Sequence, residues 1–152
     1  MASDKSLTFK FESLECDGAL NDDWQILLRI VADFYILVDS KVLYREQQFC
    51  VVEFAVALSK WLSSVGHTGE DFIYESIESE EIGLVGVKAH GSGWRIGSVH
   101  QENEEAHTFS LEDVRTAAEA FMNQLAKEIR VKFRVDLREF IIKRWGVIPT
   151  AT

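Results

Sequence analysis

Two periodicities alternate along the chain. Thr8 to Glu12 reads apolar and polar by turns, the period of a half-buried strand. Asp17-Gly18 and Asn21-Asp22-Asp23 are turn chemistry. Trp24 to Val31 reads as a strand, yet Trp24, Leu27, Leu28 and Val31 also fall at helical spacing, and the pattern leaves both open. Phe34 to Val38 and Lys41 to Arg45 read as strands joined at Asp39-Ser40, a hairpin turn without the usual glycine. The period then changes. Val51, Phe54, Ala55, Leu58, Trp61 and Leu62 recur as one apolar helical face. This helix is expected from about Gln47 to Ser63, ending before Gly66 and Gly69.

A second β region follows. Phe72 to Ile77, Ile82 to Lys88 and Trp94 to His100 read as strands, with His90-Gly91-Ser92-Gly93 as a turn. Trp94, Ile96 and Ser98 fall on one face of the last strand, and Arg95, Gly97 and Val99 on the other. The glycines here permit a bulge or a close approach of backbones. Ser110 is placed as a helix N-cap, with Glu112 and Asp113 in the first turn, where carboxylates favour the positive helix end. Leu111, Val114, Ala118, Phe121, Leu125 and Ile129 form the buried face of that helix. Val131 to Trp145 fits a strand through Phe133, Val135 and Leu137, or a helix through Leu137, Phe140, Ile141 and Trp145.

The sum is an α+β fold in a single domain spanning residues 1–152. Antiparallel sheets are expected in strands–helix–strands–helix order, with two amphipathic helices packed on the sheet. A three-strand-plus-helix unit thus occurs twice, without a residue-level repeat. The chain is 47% hydrophobic and 27% charged, a mix that supports a core of ordinary size. Trp24, Trp61, Trp94 and Trp145 are expected in the core or at its edge. The start lacks the apolar stretch of a signal peptide, and no apolar run reaches the ~18 residues that a membrane helix needs. Cys16 and Cys50 make no disulfide framework and suit a reducing compartment. The expectation is a soluble, cytoplasmic protein.

Charge changes the picture. The net charge is −9, and most of the excess lies between Glu70 and Glu105. There Glu70, Asp71, Glu75, Glu78, Glu80, Glu81, Glu102, Glu104 and Glu105 oppose only Lys88 and Arg95. Such a field attracts basic surfaces and repels nucleic acid. A basic stretch from Lys127 to Arg144 complements the negative end of a helix. With a pI near 4.9 the chain is not expected to bind nucleic acid.

Glu75, Glu78, Glu80 and Glu81 are the candidate chemistry. A glycosidase needs two convergent carboxylates, and a metal-dependent nuclease needs them around a divalent cation. A row of glutamates on one strand and turn is ordinarily a solvated face, or a surface for a basic partner. His67, His90, His100 and His107 show no metal-ligand spacing. No Gly-x-Ser-x-Gly elbow and no phosphate loop is present, and Cys50 beside Phe49 and Val51 reads as a core thiol. No catalytic residue, metal or cofactor is assigned. Glu75, Glu78, Glu80 and Glu81 are assigned to partner binding, with Trp94 and Arg95 as anchors, since Trp and Arg are enriched where interfaces bind most strongly.

Three segments carry a resemblance: Val52 to Trp61, Phe72 to Glu78, and Gly93 to Ser98. Together they resemble a family of small, uncharacterised bacterial proteins, over about Tyr44 to Leu125. That family implies no activity and transfers no catalytic residue. The profile of a small, acidic α+β chain is also similar to immunity proteins of contact-dependent inhibition and related toxin systems. This second likeness implies a non-catalytic protein that binds and blocks a basic, nuclease-type toxin domain. Two alternatives remain open: an oligomeric structural or adaptor protein, and a carboxylate-dependent hydrolase.

Overall fold

The computed structural model describes residues 5–76, 82–103 and 105–145. The fold is α+β. Strands β1 (Leu7–Cys16), β2 (Ile30–Val38) and β3 (Lys41–Phe49) form one antiparallel sheet, with a short helix α1 (Asp23–Arg29) between β1 and β2. Helix α2 (Val51–Thr68) leads to the second antiparallel sheet, β4 (Phe72–Glu75), β5 (Ile82–His90) and β6 (Gly93–Gly97). Helices α3 (Leu111–Phe133) and α4 (Leu137–Trp145) complete the chain. A three-stranded meander followed by a long helix therefore occurs twice.

The ambiguous stretch Trp24 to Val31 proves to be both structures in succession. Asp22 caps α1 by accepting from the Gln25 backbone at 2.9 Å, and the Gln25 side chain returns the bond. From Ile30 onward every second residue is buried, so the chain enters β2 without a loop. Trp24 departs from its expected place in the core or at its edge: at the start of α1 it is 58% exposed. The β2–β3 turn forms at Asp39-Ser40, as expected, with φ of +50° and +67°. Two consecutive left-handed residues define the hairpin turn that normally selects Asn-Gly. Bonds to the start of β1 hold the turn in place of glycine's freedom. The Ser6 amide donates to the Asp39 carboxylate at 2.8 Å, and the Asp39 amide donates to the Ser6 carbonyl at 2.9 Å.

Helix α2 differs from the expected Gln47 to Ser63. Phe49 still pairs with Ala32 in the first sheet, so the helix starts later. It continues through Gly66 and ends where Gly69 turns left-handed, its N–H bonding the Val65 carbonyl at 2.9 Å. Val51, Val52, Phe54, Ala55, Val56, Leu58, Trp61 and Leu62 are all buried, more than a single face. The helix packs against α1, β2, β4, α3 and α4, so nearly every side is covered. Ser110 caps α3 through the Asp113 amide at 3.0 Å, as its sequence position implied. Arg134, with φ of +57°, ends α3, and the tail continues as the helical alternative, α4.

The segment after β6 ties the second half of the chain to β3. After β6 the Glu102 amide donates to the Leu43 carbonyl of β3 at 2.7 Å, and the Asn103 side chain donates to the Val42 carbonyl at 2.5 Å. Gly93 permits a close approach, for a Cβ there would sit 2.9 Å from the Phe109 carbonyl. Among the described residues no helix is long and apolar enough to cross a membrane.

Replacing Ser40 by glycine removes the cost of one left-handed L-residue from an exposed turn. Ser40→Gly should raise stability by about 0.5–1 kcal/mol in a denaturant titration. A lower stability would show that the turn is set by something other than backbone conformation.

Candidate interaction surface

The approach to the acidic stretch is held by internal bonds. The Trp61 indole donates to the Glu70 carbonyl at 2.7 Å, and Asp71 accepts from the Ala89 amide at 2.8 Å. Glu53, in the first turn of α2, is buried. Its Oε1 accepts from the Tyr74 hydroxyl at 2.8 Å and from the Ser76 hydroxyl at 2.6 Å. Burial, followed by the Glu53 charge and hydrogen bond, drives the Tyr74 hydroxyl far above its ordinary range, so Tyr74 stays a neutral donor. A buried carboxylate thus fixes both β4 and the residue that follows it.

Glu75 is the last residue of β4, its backbone paired with Ile82. Glu78, Glu80 and Glu81 lie outside the described residues. Trp94 and Arg95 lie in β6 and face opposite sides of the sheet, as the alternation along the strand implied. Trp94 packs edge-on against Trp61, ring centres 5.4 Å apart, and its backbone bridges to Phe109 at 2.8 Å in both directions. It is a core-edge residue that fastens β6 to the start of α3. Arg95 sits on the other face, cross-strand from Lys88.

The fold also redistributes the acidic excess. Glu102 pairs with Arg45 at 2.8 Å and Glu105 with Lys5 at 3.0 Å, cations from the first sheet and the chain start. Burial pushes the Glu105 carboxyl upward, but the Lys5 hydrogen bond, the His107 amide and both positive charges outweigh it, and the net shift is downward. Summing charge along the sequence missed both pairs because their partners lie far away in the chain. Glu70 and Asp71 are exposed and enter no ion pair among the described residues.

Two concavities stand out. A polar hollow of about 860 Å³ lies beside α1 and includes Trp24, Cys16 and Cys50. Cys16 ends edge strand β1 and Cys50 follows edge strand β3, with β2 between those strands, and the two form no disulfide. A groove of about 560 Å³ runs over the outer face of the second sheet. Its floor is the cross-strand pair Gly86 and Gly97, and Ile73, Lys88, Arg95 and Val99 border it. Among the described residues no three His, Cys, Asp or Glu side chains cluster to hold a metal ion.

Sequence reasoning missed Glu53, Tyr74 and Ser76 as a unit, along with the glycine-floored groove. A signal existed for the first: Glu53 is the only charged residue between Phe49 and Ser59. A carboxylate in so apolar a run must find donors. Glu53→Ala leaves the Tyr74 hydroxyl buried without its acceptor and should cost about 1–3 kcal/mol in chemical denaturation. Glu53→Gln, which keeps an acceptor oxygen, should cost less. Equal losses in the two variants would show that packing, not the hydrogen bonds, is what Glu53 supplies.

Comparison with curated proteins and with solved structures finds no match. A family model does match, over residues 7–131, from the first residue of β1 into the last turns of α3. The segments from Tyr44 to Leu125 that carried the resemblance to an uncharacterised family fall inside that span. The chain belongs to the family described as Domain of unknown function (DUF7878).

Proposed function

We propose that this protein is a non-catalytic binding protein for a basic protein domain, and in its most concrete form an immunity protein that neutralises a cognate toxin domain. One observation carries this reading. Glu102 and Glu105 are neutralised within the fold, whereas the stretch from Glu70 to Val87 contains six carboxylates and no lysine or arginine. The charge left for a partner is therefore concentrated around β4 and its connection to β5. The bonds of Trp61, Asp71 and Glu53 fix the backbone leading into this stretch. Backbone fixed in advance from Glu70 to Ser76 loses less conformational freedom on association. Glu53 spends one oxygen on two hydroxyl donors, a role that supports a structural carboxylate over a general acid or base. Glu75, Glu78, Glu80 and Glu81 would meet lysines and arginines of the partner.

Acidic side chains of this kind act mainly on the rate of encounter. The test expresses the C-terminal domain of the protein encoded immediately upstream, with and without this chain. The neighbour should stop growth and this chain should restore it. With that domain purified, association should slow as salt rises, and the double reversal Glu78→Lys with Glu81→Lys should slow it about tenfold or more. A harmless neighbour, or one that kills regardless, would remove the immunity reading. Affinity and salt dependence unchanged by the double reversal would remove the assigned surface.

A further inference from the structure

We infer that the groove on the outer face of β4, β5 and β6 is a binding site for a small organic monocarboxylate with an apolar body. The inference is independent of the acidic stretch and of any protein partner. It starts from an electrostatic cost within the fold. Lys88 and Arg95 lie directly opposite each other on neighbouring strands, an arrangement of like charges that destabilises a sheet. Arg95 is half-buried, and its Nε is shut off from solvent with no hydrogen-bond acceptor. Neither cation enters an ion pair among the described residues. A buried donor without a partner is uncommon, and the fold gives the Arg95 guanidinium no counter-charge among the described residues. A carboxylate placed between the two cations removes the repulsion. The planar guanidinium fork matches its two oxygens.

The rest of the groove specifies what the carboxylate is attached to. Gly86 and Gly97 are paired across the strands and add no side chains to the floor, which the Gln101 amide oxygen covers at Gly97 and the Lys88 stem flanks at Gly86. Ile73 and Val99, 47% and 59% exposed, border it with apolar surface. The volume, about 560 Å³, falls within the range of small-molecule sites, roughly 300–1,000 Å³. Glu105 also faces the groove, its charge held by Lys5. That carboxylate repels any anion, a doubly charged phosphate more strongly than a singly charged carboxylate.

Two variants test the site without touching the core. A Cβ built on Gly86 meets the Phe72 carbonyl, Lys88 and the Gly97 carbonyl at 3.7–4.0 Å, ordinary contact. Gly86→Val therefore fits the sheet, and valine favours strands, while its methyl groups enter the groove. Arg95→Gln removes the guanidinium. The full chain, labelled with nitrogen-15, would be titrated with sodium benzoate, benzamide and inorganic phosphate. Benzoate should shift the amides of Gly86, Lys88 and Gly97 saturably, and benzamide and phosphate should bind at least about tenfold more weakly. Each variant should keep the folded spectrum and weaken benzoate binding at least about tenfold. The inference is overturned if benzoate produces no saturable shift at these amides, if benzamide or phosphate binds as well, or if both folded variants bind like the original chain.

Discussion

The structure depends on one ring. Phe54, in the first turns of α2, lies between 5.0 and 6.1 Å from six other aromatic rings. Phe9, Phe34 and Phe49 come from the first sheet, Phe72 and Tyr74 from the second, and Phe121 from α3. Most of these pairs are edge-on or tilted, the geometry in which the positive rim of one ring meets the negative face of another. No strand of the first sheet pairs with a strand of the second. The two meanders are joined instead through the aromatic core around α2, the contact of the residues after β6 with β3, and two ion pairs that cross between chain segments.

That arrangement explains why so much of the second sheet can serve as surface. Its inner face is held by Phe72, Tyr74, Val87 and Ile96, all buried. Glu53 holds the end of β4 from within the core, and Trp94 holds β6 against Trp61 and Phe109. On the outer face glycine, lysine and arginine line up across strands. Glu75, at the end of β4, and the groove that holds Lys88 and Arg95 belong to one sheet. The two proposals assign them different partners, a basic protein surface for the first and a small anion for the second.

Elements set by local pattern were readable from the sequence. The helix on Ser110, the Asp39-Ser40 turn, the three strands of each sheet and the apolar spacing of α2 all follow from residues close together in the chain. Boundaries that depend on distant partners were not. Phe49 stays in β3 because Ala32 sits opposite, and nothing local to Gln47-Gln48-Phe49 says so. Trp24 is exposed while Leu27, at the same helical spacing, is buried, a difference that periodicity alone does not contain. The candidate site divides in the same way. The concentration of carboxylates is a property of the sequence, but its neutralisation by Lys5 and Arg45 appears only when segments roughly sixty to a hundred residues apart meet. The groove needs the cross-strand register of Gly86 with Gly97 and of Lys88 with Arg95, which one-dimensional spacing does not contain.

The most direct test of this account is native-state hydrogen exchange on the original chain and on Phe54→Leu. If α2 joins both sheets into one cooperative unit, the most protected amides of β2 and β5 exchange with the same opening free energy. In Phe54→Leu both should then fall by the same amount, about 1–3 kcal/mol. A second sheet that opens at lower free energy than the first, or a substitution felt by one sheet alone, would contradict it.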